Sequence, residues 1–489
     1  MSRKRRFSVF LFFAALYVAT TSGHIYTIDS YLNYQVARSI GTQGRLAIPR
    51  LMMAVEGRGG RYYSKLGVGQ SLADLPLFWT GAAVARAFPH ARIYDVYATQ
   101  VNIPYGSQMV SAEPQDLIKI SDTDGARVFF TALANALITA LVCLLFWELL
   151  RNFGLSRRGA LWATVLLGFG TPFWIYARDG FAEPLFAACL LGAFLILTDR
   201  AKNIRESWLV AAGLISSLGI LARVSFLPIA AIAGAYLLLT SGGASSGIRR
   251  LAWYALGCLP GVVILGVLDL WRFGGVTLTG YHTAFDKGFS VPLAKGLFWN
   301  LASPYRSVFI YAPAVAIFAP GIRDFARRHR REAWLAIAVI VYIFVFYSKW
   351  WAWHGGWCWG PRFLLPVIPL LLLPGLVAAR TRKWLILVAV ILGVVGFGVQ
   401  VSGLLINYTA DYDYWIKIKK LDWAEENIQN FFPVSVQLGA ISATSPRQYD
   451  LWLVQASRVI GWHVVWIAAA LAALAAGSAS YILRPARKP

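Results

Sequence analysis

The sequence predicts an all-α polytopic membrane protein, and composition and hydropathy are the observations that predict it. Apolar residues make up 58% of the 489 positions and charged residues 14%, whereas a soluble chain has roughly 45–50% apolar and about 25% charged residues. Runs close to the roughly 20 apolar residues that a spanning helix needs cover most of the chain. Three soluble domains are excluded, because the polar surface that they need is absent.

The hydropathy pattern predicts about twelve transmembrane helices. The predicted spans are 7–23, 126–150, 159–176, 183–198, 207–222, 224–240, 251–270, 305–321, 333–349, 363–379, 384–406 and 459–483. The first of them also has features of a signal peptide. We prefer a retained helix, because the apolar run from Phe7 to Thr20 continues into small residues without an A-x-A cleavage site.

The net charge of +23 is distributed unevenly. Alternate connections hold half of the 46 lysines and arginines but only four acidic residues, and these connections are 1–6, 151–158, 199–206, 241–250, 322–332, 380–383 and 484–489. The positive-inside rule makes this face cytoplasmic, together with both termini. The charge therefore reflects topology and does not indicate nucleic-acid binding.

The predicted outer face carries three long segments, 24–125, 271–304 and 407–458, so any chemistry is expected there. An apolar stretch at 71–88 in the first of them contains Asp74, and counting it as a span would reverse every later connection. We predict that it forms a helix that lies in the outer interface or re-enters it.

Three acidic residues lie where predicted spans meet the outer surface. Asp29 follows the first span, where a carboxylate can act as a general base on an acceptor hydroxyl, and a simple helix cap is the alternative. Asp179 and Glu183 lie near Arg178 between the third and fourth spans, and ionisable groups at membrane depth indicate function. Pairing of Asp179 with Arg178, and a helix-start carboxylate for Glu183, are the alternatives.

Basic residues near the same surface are candidates for binding phosphate. Lys65 lies next to a glycine-rich turn and can hold a phosphate as a point charge, with snorkelling to lipid headgroups as the alternative. Arg223 separates two apolar runs and Arg306 precedes another. Each of these arginines either neutralises an anionic headgroup or anchors a helix at the interface.

The stretch from Trp350 to Trp359 contains five tryptophans, with His354 inside it and Arg362 just beyond. Tryptophan faces stack on the apolar faces of sugars, and Arg362 can bind a phosphate bidentately. An aromatic belt is the alternative. His354 is a base, a hydrogen-bond donor to a ligand or neither. No second histidine lies in register to make it a metal site.

Walker, GxGxxG, GxSxG and HExxH motifs are absent from the sequence, and the four cysteines show no metal spacing.

These stretches resemble the GT-C superfamily of membrane glycosyltransferases, above all its polyprenyl-phosphate-sugar-dependent branch, which includes protein O-mannosyltransferases and lipid A aminoarabinose transferases. The matching elements are Asp29 after the first span, the Tyr63-x-Lys65 element, and Arg178 with Glu183 five residues later. The likeness is strongest over 1–240. The sequence departs from the family pattern at two positions. Ser30 follows Asp29 where a second acidic residue is usual, and Glu183 stands where Asp is more usual.

The resemblance implies a GT-C-like bundle with in-plane helices in the first outer segment, and a sugar donor linked to polyprenyl phosphate. It implies inverting transfer to a glycan, lipid or protein acceptor on the outer face of a bacterial inner membrane, with Asp29 as base. The implied site comprises Asp29, Glu183 and Asp179 for catalysis, Lys65, Arg178, Arg223 and Arg362 for the donor phosphate, and Tyr63, Trp351, Trp353, His354 and Trp357 for sugar or acceptor. No cofactor is indicated with certainty, and two separated acids leave the participation of a divalent metal open.

The predicted units are a GT-C module at 1–240, a variable transmembrane module at 241–406, a small outer segment at 407–458 and a last helix with a basic tail at 459–489. Twelve spans with both ends inside also fit a transporter or flippase. That class commonly shows repeated halves and broken helices near the midplane, and no clear half-to-half similarity is present. A lipid-linked ligase of another fold is a third class, which would centre on a long outer loop late in the chain.

Overall fold

The computed structural model describes residues 3–51, 53–94, 96, 125–199, 205–281, 283, 286–409 and 432–484. The predicted outer segments at 24–125 and 407–458 are therefore covered in part, and 97–124 and 410–431 lie outside the described residues. The predicted basic tail from 485 onward lies outside them as well.

The described chain is predominantly helical. Its α-helices are α1 (Arg3–Thr20), α2 (Ile28–Gln43), α3 (Gly69–Ala87), α4 (Gly125–Ala132), α5 (Ala134–Asn152), α6 (Arg157–Phe169), α7 (Phe173–Tyr176), α8 (Glu183–Asp199), α9 (Glu206–Ala222), α10 (Leu227–Thr240), α11 (Ala244–Phe273), α12 (Leu293–Leu301), α13 (Val308–Tyr311), α14 (Phe318–Arg328), α15 (Arg330–Lys349), α16 (Ile368–Ala378), α17 (Trp384–Leu405), α18 (Pro433–Ala443), α19 (Trp452–Ile460) and α20 (Val464–Leu483). A small antiparallel hairpin of β1 (Ala54–Glu56) and β2 (Tyr62–Ser64) lies between α2 and α3.

Helices of spanning length and composition confirm the helical membrane class. Among the described residues, five helices or runs of adjoining helices are long and apolar enough to cross a membrane, namely Gly125–Asn152, Ala244–Phe273, Arg330–Lys349, Trp384–Leu405 and Trp452–Leu483. Shorter apolar helices cover Glu183–Thr198, Glu206–Ala222, Val224–Thr240, Arg362–Ala378 and Pro433–Ala443. The total of twelve spans, and the position of α3 relative to a membrane, stay predictions.

Breaks divide the helices in the apolar stretches at 305–321 and 207–240. The predicted span at 305–321 consists of α13, a 3-10 helix at Pro313–Ile317 and the start of α14. Pro313 has no backbone N–H to continue the hydrogen-bond ladder of α13. The predicted break at Arg223 is present, since this residue has extended backbone angles between α9 and a 3-10 helix at Val224–Phe226.

The connections predicted to be cytoplasmic meet at one end of the bundle. Arg6 pairs with Glu148 at 2.9 Å, and Arg382 pairs with Asp324 at 2.6 Å. Arg331 donates a hydrogen bond from Nη1 to the Thr240 carbonyl at 2.9 Å. These contacts join α1 to α5, the 380–383 connection to α14, and α15 to α10. The side of a membrane that this end faces stays a prediction.

Candidate active site

Asp29 lies in the first turn of α2, but it is not the cap of that helix. The N-cap is Thr27, whose side-chain oxygen accepts from the Ser30 backbone N–H at 3.4 Å. The helix start favours a negative charge at Asp29, and Asp29 is 7% exposed. Its carboxylate is directed to another residue, Arg362, so the simple-cap interpretation does not account for it.

Arg362 joins two carboxylates from distant parts of the chain. Its Nη2 donates to Asp29 Oδ2, and its Nε donates to Glu183 Oε1 at 2.6 Å. A third donor, Nη1, binds the Gly355 carbonyl at 3.1 Å and so connects the guanidinium to residues 350–359, the tryptophan-rich loop. All three charged side chains are buried. Each of the two carboxylates therefore has a cationic hydrogen-bond donor as its partner, as buried charges require.

Arg223 provides a second guanidinium on Glu183. Its Nη2 lies 2.7 Å from Glu183 Oε1, and its guanidinium lies 5.0 Å from the centre of the Phe363 ring. The extended backbone at Arg223 turns the chain between α9 and α10, which aims the side chain at the first residue of α8. Glu183 is therefore held between two arginines, while its Oε2 has no hydrogen-bond partner among the described residues.

Lys65 lies immediately after β2 and completes the cation set. Its Nζ is 3.6 Å from Asp286 Oδ1 and 5.2 Å from the centre of the Tyr281 ring. The side chain of Lys65 is 11% exposed. Its positive charge contributes to lowering the pKa of Asp29, which indicates that the two groups share one site.

The charges around Asp29 decide its protonation state. Burial raises the pKa of Asp29, but the charges of Arg362 and Arg223 outweigh burial and the net pKa lies below the ordinary value of 3.8. Asp29 is thus ionised at neutral pH. A carboxylate in this state can accept a proton from an acceptor hydroxyl.

The structure brings Asp29, Glu183, Lys65, Arg223 and Arg362 together, but it pairs Arg178 elsewhere. Arg178 Nη2 lies 2.5 Å from Asp450 Oδ2, and Nη1 donates to the Leu404 carbonyl. Tyr26 also donates to Asp450. Arg178 therefore connects the segment between α7 and α8 to the end of α17 and to the segment before α19. Asp450 in turn contacts the chain that precedes α2 through Tyr26.

Asp179 lies behind α2 and supports it. Its Oδ1 accepts from the Ser30 hydroxyl and, at 2.9 Å, from the Gly180 N–H. Burial raises the pKa of Asp179, and the hydrogen bond from Ser30 partly opposes this. The sequence also allowed Asp179 to pair with Arg178. Among the described residues, the two do not form an ion pair. These contacts attach Asp179 to Thr27 and Ser30 at the start of α2, and a catalytic role for Asp179 stays a prediction.

The tryptophan-rich loop is tightly packed. Trp353 is buried and stacks on Trp299 with ring centres 3.9 Å apart, while Trp351 and Trp357 are half-buried. His354 Nδ1 accepts the Gly356 N–H at 3.0 Å. Burial, with the charge of Arg306 in the same direction, lowers the pKa of His354 to about 3, which makes it a very weak base.

Arg306 and Tyr63 lie in packed surroundings beside the site. Arg306 donates to the carbonyls of Cys358 at 2.6 Å, Gly356 at 2.8 Å and Gly360 at 3.1 Å, so it holds the tryptophan-rich loop together. Tyr63 is 2% exposed, and its ring meets the edges of Trp271 and Phe273. A sugar- or acceptor-binding role for Tyr63 and the loop residues stays a prediction.

A divalent cation does not fit between the two carboxylates as they stand. The Arg362 guanidinium lies between Asp29 and Glu183, and Arg223 adds a second positive charge on Glu183. A metal there would meet cations at close range instead of a free carboxylate pair. Within the described ranges, no group of three His, Cys, Asp or Glu side chains is arranged to hold a metal.

Two residues of the site were missed in the sequence. Tyr281 and Asp286 both come from the outer segment at 271–304, and both contact Lys65. Burial raises the pKa of Tyr281 to about 12, and the opposing charge of Arg223 indicates that Tyr281 lies beside the arginines. The signal that the sequence offered was an acidic residue, Asp286, in this long outer segment. Its partner Lys65 lies more than 200 residues away in the sequence.

Comparisons with known proteins found structural likenesses only. No protein-family profile and no curated protein matches the sequence. The crystal structure of ArnT from Cupriavidus metallidurans in the apo state matches with a TM-score of 0.48 and 15% identity, over 96% of this chain and 75% of that chain. ArnT bound to undecaprenyl phosphate matches with a TM-score of 0.48 and 15% identity, over 97% of this chain and 77% of that chain.

A third likeness is to the archaeal oligosaccharyltransferase AglB from Archaeoglobus fulgidus in complex with an inhibitory peptide and a dolichol-phosphate. Its TM-score is 0.41 and its identity 11%, over 93% of this chain and 55% of that chain. Because these similarities are low, the function proposed for this chain rests on the geometry of its own site.

Proposed function

We propose that this chain is a membrane glycosyltransferase that moves a sugar from a polyprenyl-phosphate-linked donor to an acceptor hydroxyl at the outer face. The observation that carries the proposal is the convergence of Asp29 and Glu183 on the Arg362 guanidinium, with Arg223 and Lys65 beside them. The site thus holds an ionised carboxylate next to several cations. Proton removal from a nucleophile and stabilisation of a departing anion require these two elements.

In the proposed reaction, the acceptor oxygen attacks the anomeric carbon from the face opposite the phosphate. The new carbon–oxygen bond forms as the bond from the anomeric carbon to the phosphate oxygen breaks, and the electron pair leaves with the lipid phosphate. The acceptor proton passes to Asp29. One displacement of this kind inverts the configuration at the anomeric carbon.

The cations have separate tasks in this mechanism. Of the three cations, Lys65 has the longest ion-pair distance, 3.6 Å to Asp286 Oδ1, and it is therefore the first candidate for contact with the phosphate. Arg223 has an Nε without a hydrogen-bond partner in the described part of the chain. Glu183 holds Arg223 and Arg362 in fixed orientations. Preorganised donors of this kind stabilise developing charge without reorganisation during the reaction.

The test is mass spectrometry of the lipid that copurifies with the wild type and with Asp29→Asn. The wild type is expected to carry polyprenyl phosphate, the product of transfer. Asp29→Asn is expected to carry the unreacted polyprenyl-phosphate sugar, because donor binding persists while proton removal is lost. Absence of both lipids from both preparations would refute the proposal.

A further inference from the structure

Asp286 pairs with Lys65, yet the proposed transfer has no step that uses it. The contact at 3.6 Å is longer than a hydrogen bond. Asp286 Oδ1 has no hydrogen-bond partner within the part of the chain that the structure describes. The other oxygen accepts from the Thr283 hydroxyl at 2.6 Å. A buried carboxylate oxygen that lacks a hydrogen bond is unfavourable, so a better partner for Lys65 can replace this contact.

The charges of the site are balanced with Asp286 in place. Three cations face three carboxylates, and these residues are Lys65, Arg223, Arg362, Asp29, Glu183 and Asp286. An incoming phosphate would add negative charge to a largely buried site, which is costly unless another anion leaves. Asp29 and Glu183 are each hydrogen-bonded to a guanidinium, whereas Asp286 is held to its cation only loosely.

Lys65 has a second neighbour besides Asp286. The Tyr281 ring contacts Lys65 independently of Asp286. Lys65 would therefore keep one neighbour after Asp286 moves away.

We propose that Asp286 holds the place of the donor phosphate on Lys65 and competes with the phosphate for this ammonium. The inference rests on the proposed function and names a residue that sets the affinity of the same site. A phosphate oxygen would replace the 3.6 Å contact by a charge-assisted hydrogen bond of about 2.8 Å. Loss of the Asp286 charge should therefore strengthen binding, whereas loss of a merely supporting residue weakens it.

The experiment measures binding of undecaprenyl monophosphate to the purified full chain in detergent. Asp286→Asn is expected to lower the dissociation constant about tenfold, which corresponds to about 1.4 kcal/mol. The matched control is Glu56→Gln, which makes the same charge change at an exposed position of β1. Its affinity should equal that of the wild type. Phosphatidic acid is the second probe, and equal tightening for both lipids would overturn the assignment to a prenyl phosphate.

A second variant guards against misfolding of Asp286→Asn. Thr283→Ala removes the hydrogen bond to Asp286 but keeps its charge, and a smaller gain in affinity is expected. Unchanged or weaker binding by both variants, with normal binding by the wild type, would overturn the inference and leave the proposed function standing. Failure of the wild type and both variants to bind the prenyl phosphate would overturn the proposed function itself.

Discussion

Replacement of Arg362 by glutamine tests how the two carboxylates are held. In Arg362→Gln, Glu183 keeps Arg223 at 2.7 Å, but Asp29 loses the one guanidinium hydrogen-bonded to it among the described residues. Breaking a buried ion pair by removing one partner costs about 3–5 kcal/mol, because an uncompensated charge remains. Removal of both partners avoids that charge. The double variant Asp29→Asn/Arg362→Gln should therefore be more stable than Arg362→Gln alone.

The same substitution should reverse the direction of the Asp29 pKa shift. With Arg362 present, the pKa of Asp29 lies below its ordinary value, so its stabilisation is present above the unfolded pKa of 3.8 and is lost as pH falls through the lower folded value. Without Arg362, we expect burial to outweigh the remaining charges of Arg223 and Lys65 and to raise the pKa of Asp29 above 3.8. The destabilisation of Arg362→Gln should then grow as pH rises from 3.8 and should shrink toward acidic pH.

Thermal unfolding in detergent across pH measures both effects. We expect the midpoint of Arg362→Gln to be the lowest of the three proteins at pH 7, with partial recovery in the double variant. Transfer activity of Arg362→Gln should fall by about 10²–10³, the usual loss for one charge-stabilising donor. An Arg362→Gln midpoint equal to that of the wild type at pH 7, or a double variant less stable than the single, would refute the reasoning.

Four further results are expected. Asp29→Asn should reduce transfer at least 10²-fold, the lower end of the usual general-base contribution of about 10²–10⁴, with an unchanged elution profile in detergent; full activity would remove Asp29 as the base. Lys65→Ala should weaken binding of polyprenyl phosphate about tenfold, or about 1.4 kcal/mol, and equal affinity would count against Lys65 in the phosphate site. Chelation by EDTA should leave transfer unchanged, since Arg362 lies between the carboxylates; a loss restored by Mg²⁺ or Mn²⁺ would contradict this. Burial raises the pKa of Asp74 from 3.8 to about 8, so the folded wild type loses stability as pH rises between these two values. Asp74→Asn should therefore have a higher unfolding midpoint than the wild type above pH 8 but not at pH 4. Equal midpoints at both pH values would show that Asp74 does not titrate this way.

The helices and the general location of the site were predictable because local signals determine both. Apolar runs determine where helices form, and ionisable residues at helix ends gather where those ends meet. Asp29, Glu183, Arg223 and Arg362 each lie at such an end and converge as expected. The interruption of the predicted span at 305–321 also had a visible signal, since Pro313 stands in its middle.

The pairing of individual charges was not predictable, because it depends on tertiary contacts. Arg178 resembles a family phosphate-binding residue, but it pairs with Asp450, 272 residues away. Arg362 was predicted to bind a phosphate, and that role stays a prediction, but its pairing with two carboxylates was not foreseen. A charged residue in a sequence shows which partner types are favourable, but the fold decides which partner is within reach.

A cryo-electron microscopy structure of the wild type with bound polyprenyl phosphate tests the central claim most directly. We expect phosphate density within hydrogen-bond distance of Lys65 and beside Arg223, with the carboxylate of Asp286 displaced from the lysine. The prenyl chain should extend between apolar helices. Phosphate density at the end of the bundle that contains Arg6 and Arg382, or beside Arg178 and Asp450, would contradict the account.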